Sequence, residues 1–149
     1  MRIKTSEPAS FRVAALLHEN ILASSITLPM EILAGAAQAL GRGAQQSLSF
    51  QCLSEQGGPL TLQTGLTVAT EPFGALTDAD LLIIPAIWRQ PQRVLQKHPK
   101  HIEVITQHLS KRGLTVSIGS GSFLLAATGQ MNGRSATTHW HWFDHFKKR

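Results

Sequence analysis

A chain of 149 residues with 42% hydrophobic and 15% charged residues can bury one core and is too apolar for intrinsic disorder. Its net charge of +5 is scattered, with Lys147-Lys148-Arg149 as the one run, and Phe and Trp are few and Tyr absent, so composition speaks against a nucleic-acid reader and for a solvated basic tail. No apolar run approaches the ~20 residues of a membrane span, no signal-peptide core follows Met1, and a single cysteine excludes an internal disulfide and suits the cytoplasm.

Residues 1–10 are expected to be weakly ordered, and 11–149 to form one domain. Phe11 to Leu17 reads as a first buried strand, ended by His18-Glu-Asn20. A loop is expected over 21–27 and a helix from about Leu28, with Pro29 in its first turn, where no N–H partner is lost. Leu28, Ile32, Ala36 and Leu40 would form its apolar face, and Gly41-Arg-Gly43 would stop it. Leu48 to Leu53 alternates as a second strand that places Cys52 on the face of Phe50, as a core hydrophobe. Gly57-Gly-Pro59 reads as a turn, and 60–62 with 66–68 as a hairpin ended by Glu71-Pro72.

Leu81 to Ile84 is a short continuous apolar run, the pattern of a central parallel strand. Pro85-Ala-Ile-Trp88 follows at its carboxyl end, the edge at which open α/β sheets bind ligands. Residues 91–111 have a helical pattern, divided at Pro99, with Ile102, Ile105 and Leu109 on one face. His98, His101 and His108 lie there and read as solvated helix histidines rather than metal ligands. No P-loop, CxxC pair or GxGxxG string is present.

Leu114 to Ile118 reads as a buried strand, Gly119-Ser-Gly-Ser122 as a tight turn and Phe123 to Ala127 as a helix ending near Gly129. This is the order of a nucleophile elbow, yet Gly119 has no side chain with which to attack. Ser120 and Ser122 read as helix caps rather than nucleophiles. Residues 134–139 read as extended and 140–148 as a final helix. Strands alternating with helices predict an α/β protein: a three-layer sandwich with a mostly parallel, flavodoxin-like sheet and helices on both faces.

Three segments carry a resemblance to a known family: Ser25-Ile-Thr-Leu-Pro-Met-Glu-Ile-Leu33, Asp80-Leu-Leu-Ile-Ile-Pro85, and Ser117 to Ala126 followed by Gly133-Arg-Ser-Ala-Thr-Thr-His-Trp140. In these the chain resembles the ThiJ/PfpI superfamily, part of the class I glutamine-amidotransferase-like fold. It is similar in particular to the sensor half of one branch of AraC/XylS-type transcription regulators. Enzymes of the superfamily use an elbow cysteine tuned by a carboxylate or histidine. Here Gly119 takes the cysteine's position and Ser25 that of the carboxylate. Ala86-Ile87 stands where relatives often place glycines that offer an oxyanion donor.

The resemblance therefore implies no catalytic residues, no cofactor and no metal. It implies a pocket lined by Ser25, Ile26, Ile87, Trp88, Gly119, Ser120, Gly121, Ser122, His139 and Trp140. The backbone N–H groups near Ser120 and Gly121 would hold a carboxylate, and Trp88 would face an apolar or cationic part. The implied effector is amino-acid-like or betaine-like, and a Gly121→Val substitution is expected to crowd its site. The implied protein is a cytoplasmic homodimer that meets no membrane and reaches DNA only through a helix-turn-helix domain beyond Arg149. The alternative is an enzyme of the ThiJ/PfpI type, a hydrolase, hydratase or glyoxalase-like lyase using Ser120 or His139. A third reading is an interaction module with a vestigial pocket.

Overall fold

The computed structural model describes residues 10–40, 47–76 and 78–147. Strands β1 (Ser10–Leu16), β2 (Ser47–Ser54), β3 (Gln56–Thr61), β4 (Thr67–Pro72), β5 (Leu81–Ile84) and β6 (Leu114–Ser117) form one sheet in the order β3-β4-β2-β1-β5-β6. Neighbours are parallel except β3 and β4, which form an antiparallel hairpin. The helices are α1 (Ser24–Leu40), α2 (Pro91–Lys97), α3 (Pro99–Ser110), α4 (Ser122–Ala127) and α5 (Phe143–Phe146). Among the described residues no helix is long and apolar enough to cross a membrane.

The sheet is covered on both faces because side chains alternate along its central strands. Ala14 and Leu16 of β1 join Leu82 and Ile84 of β5 in one core with Val94, Ile105 and Phe123 of α2, α3 and α4. Val13, Ala15 and Leu17 join Leu81, Ile83 and Ile26 in a second core, against which Met30 and Leu33 of α1 pack. This is the three-layer, flavodoxin-like α/β arrangement expected. The helix break at Pro99, the buried β5, the inward Ile105 and the shared face of Phe50 and Cys52 also agree with expectation. Burial pushes the Cys52 thiol pKa up, as suits a core residue.

Five details differ. α1 starts at Ser24 rather than Leu28, so Pro29 lies within the helix and not in its first turn. That start rotates Ile26, Met30 and Leu33 inward and leaves Leu28, Ile32 and Ala36 of the expected stripe exposed, facing away from the sheet. The Gly57-Gly58 turn is absorbed into β3, where both residues hold positive φ. Among the described residues β6 is an edge strand, and Leu114 and Val116 are exposed rather than buried. The final helix is short: a 3-10 turn over Trp140–Trp142 leads into α5. The expectations for 1–9, for the helix stop at 41–43 and for the end of the basic tail at 148–149 lie outside the described residues.

The three histidines of the α2–α3 region are buried rather than solvated. His101 and His108 share a face, as their spacing allows, but that face lies against the sheet. There the His108 ring meets the Leu114 carbonyl at 3.1 Å and ties α3 to β6.

Candidate functional site

The loops after β1, β5 and β6 meet at the carboxyl edge of the sheet, where parallel topology places binding sites. The elbow is formed there: β6, a 3-10 turn over Gly119–Gly121, then α4. Gly119 has φ +50°, the strained turn such an elbow requires, and a Cβ on it would meet only the Ala86 methyl at 3.7 Å. The elbow geometry is thus intact, with room for a side chain, and the position carries none.

Two serines close the site around this gap. Ser120 Oγ accepts the Ile87 N–H at 2.9 Å and donates to the Ile87 carbonyl at 2.7 Å. Ser25 Oγ accepts the Ala86 N–H at 3.0 Å and donates to the Leu22 carbonyl at 2.6 Å. Both N–H groups of the loop that would stabilise an oxyanion are therefore occupied. The Gly121 N–H is also spent, on the Ile118 carbonyl at 2.9 Å. Neither Ser120 nor Ser122 acts as the expected cap: Ser120 is a cross-link between two loops, and Ser122 Oγ is buried without a hydrogen-bond partner among the described residues.

The residues expected to line one pocket are divided by the fold. Ser25, Ile26, Ile87, Ser120, Gly121 and Ser122 are buried in the seam between loops. His139 is exposed and its Nδ1 accepts the His141 N–H, capping the turn that starts α5. Trp140 is 79% exposed, so it walls no enclosure. Thr138 reaches the Gly119 carbonyl at 3.4 Å and is the link between that segment and the elbow. Trp88 alone among the expected lining borders the largest of the described clefts.

That cleft, of about 430 Å³, lies between the loops after β1 and β5 and the start of α2, and is lined by Glu19, Asn20, Trp88, Arg89, Arg93 and Lys97, among others. Arg89 sits over the Trp88 ring with its guanidinium carbon 5.5 Å from the centroid, so this cation occupies the ring face. Gln90, also on the lining, holds a left-handed φ of +54°, an unusual state for a side-chain-bearing residue. Lys97 forms a hydrogen-bonded ion pair with Glu19. Burial would raise the Glu19 carboxyl, but the Lys97 ammonium and neighbouring groups hold its pKa below the ordinary value. Among the described residues, Arg89 and Arg93 have no carboxylate partner.

Sequence reading missed this cleft because the charges looked scattered. The signal was present: Arg89, Arg93 and Lys97 recur every four residues beside Trp88, and His18-Glu-Asn20 follows the first strand at the ligand-binding edge.

A mostly parallel sheet with an elbow at its carboxyl edge defines the class: an α/β protein of flavodoxin-like type. The chain belongs to the DJ-1/PfpI family, whose model matches residues 12–149. It is 35% identical over 104 residues to the HTH-type transcriptional regulator CdhR of Pseudomonas aeruginosa, an alignment covering 66% of this chain and 29% of that protein. The chain thus spans about a third of that relative's length. Its structure is similar to that of an AraC family transcriptional regulator from Pseudomonas putida, with TM-score 0.76 and 20% identity, covering 93% of this chain and 72% of that one. A ThiJ/PfpI domain protein from Brachyspira murdochii matches with TM-score 0.72 and 12% identity over 94% of this chain and 76% of its own.

Proposed function

We propose that this chain is the effector-sensing domain of an AraC-type transcription regulator, and that it binds a small carboxylate-bearing metabolite without converting it. The observation that carries this reading is the elbow: Gly119 brings no nucleophile, and Ser25 and Ser120 hold the Ala86 and Ile87 N–H groups. An open cleft at the same carboxyl edge of the sheet presents Arg89 and Arg93, neither of which has a carboxylate partner among the described residues. The relationship to an HTH-type regulator supports the regulatory role. Amino-acid-like guests fit this cleft by their carboxylate, and because Arg89 already covers Trp88, the carboxylate rather than a cationic head is the recognised end. In the full regulator, a helix-turn-helix domain contacts DNA. The effector biases a homodimer between two arrangements by binding one of them more tightly.

The test is thermal unfolding of the parent and an Arg93→Ala variant against amino acids, betaines, small amides and carboxylic acids. A guest at ~100 times its Kd adds about 2.7 kcal/mol of stability. Stabilisation of the parent that is lost in Arg93→Ala, with the compound recovered unchanged by NMR, is the expected result. A compound that is consumed would restore the enzyme reading, and the absence of any hit would favour an interaction module.

A second expectation concerns the elbow itself. Gly119→Cys should fold, at a cost of about 1–2 kcal/mol from the left-handed backbone, read as a lower urea midpoint. Its thiol should turn over neither amides nor methylglyoxal above the parent, because the oxyanion donors stay bound to the two serines. Measurable turnover would show that the site lacks only its nucleophile.

A further inference from the structure

We propose that His18, Glu19 and His98 form a binding site for a divalent transition-metal ion of zinc's chemical class, with His101 beside them as a further donor. The site lies where β1 ends and α2 passes into α3. One donor atom from each of the first three residues lies within 4.8 Å of the others. The His18 and His98 rings stack with centroids 4.7 Å apart, and the His101 ring stands 5.3 Å from one and 5.1 Å from the other.

Two ring nitrogens of this cluster, His18 Nε2 and His101 Nδ1, are shut off from solvent and have no hydrogen-bond partner among the described residues, and a third, the buried His98 Nε2, has only the Glu19 carboxylate 3.5 Å away. Buried polar atoms without a partner are uncommon, and two on adjoining rings call for a common explanation. A cation supplies one. His18 and His101 are 2% and 1% exposed, and Glu19 Oε2 lies 3.5 Å from His98 Nε2. The other nitrogen of His101 is within 3.1 Å of the Leu17 carbonyl, the outer contact that orients a ligating imidazole with its free lone pair inward. Imidazole nitrogen with a single carboxylate suits zinc and its neighbours, whereas calcium and magnesium call for oxygen donors.

Two contacts oppose the ion and set the character of the site. Lys97 holds Glu19 and must swing away, which its exposed side chain allows. Asn20 donates its N–H to His18 Nδ1 at 3.2 Å, which leaves the ring proton on Nε2. The ion therefore has to drive that proton to Nδ1 and break one long hydrogen bond. The donors must also draw in to distances of about 2 Å from the metal. Such a site binds more weakly than a closed structural zinc centre, and Lys97 competes directly with the ion.

The experiment is titration of the untagged, EDTA-stripped 149-residue chain with Co²⁺, read by its visible d–d absorption, followed by displacement with Zn²⁺. It uses no effector, so its outcome is separate from that of the effector test. One equivalent of Co²⁺ with a four-coordinate spectrum is expected. Binding should fall at least tenfold in Glu19→Gln, whose side chain is partly accessible, and in His98→Gln, whose fold is checked by circular dichroism because that ring is buried. It should tighten in Lys97→Ala, which removes the competitor; unchanged affinity there would overturn Glu19 as a donor. No band, or a band that survives Glu19→Gln and His98→Gln, would overturn the site and reduce the cluster to core histidines or the binding to exposed His139, His141 and His145.

Discussion

Gly121→Val is expected to unfold the protein or lower its stability by about 3 kcal/mol or more, rather than to crowd a ligand site as the sequence suggested. A Cβ on Gly121 would lie 2.5 Å from the Pro85 carbonyl oxygen and 2.6 Å from that of Ile84. Both are backbone atoms at the carboxyl end of the buried strand β5, and neither can rotate aside as a side chain would. Overpacking against mobile side chains costs ~1–3 kcal/mol; here the elbow must pull away from the sheet, and the larger end of that range is a floor. Gly121→Ala should share most of the loss, since the first carbon makes the collision. Urea midpoints of the two variants measure it. A valine variant as stable as the parent would show that the elbow can lift off β5 freely.

Ser120→Ala should cost about 2–4 kcal/mol, an unusual loss for removing one hydroxyl. The hydroxyl serves both polar groups of Ile87, which is 2% exposed. Its removal strands a buried N–H and a buried carbonyl, at roughly 1–3 kcal/mol for such a loss. Ser122→Ala, two residues on, is the internal control. Its Oγ is buried and has no hydrogen-bond partner among the described residues, so its removal should be neutral within about 0.5 kcal/mol or slightly stabilising. Chemical denaturation of the pair separates the role of the cross-link from the general cost of cutting a serine. Equal effects would refute the cross-link. Ser120→Ala should also loosen the β5 loop that carries Trp88, so hydrogen exchange at the Ile87 and Trp88 amides should quicken with it.

The layered fold was legible because each element carries its own periodicity. Leu81–Ile84 is apolar without a break and is buried on both faces, and Pro99 marks the break between α2 and α3. α1 was misread because Pro29 looked like a helix start, whereas the helix begins at Ser24 and tolerates the proline within it. Leu114 and Val116 were misread because an apolar strand has the same pattern at the centre of a sheet and at its edge. For the site, the strand–turn–helix elbow and its glycine were plain in sequence. The expected lining was not gathered, because His139 turned to cap its own turn and Trp140 faced outward.

From the chain alone came the α/β class, the family and the lack of a nucleophile at Gly119, since each depends on residue order or on one residue's chemistry. The tertiary structure decided which polar groups meet. Ser25 finds the Ala86 N–H 61 residues away, Ser120 finds Ile87 at 33, and His101 finds the Leu17 carbonyl at 84. Local pattern tells which way a side chain faces, but not what the folded chain brings opposite it. For that reason Ser120 read as a helix cap and the histidines as solvated. Packed against distant loops, Ser120 became a cross-link and the histidines became buried.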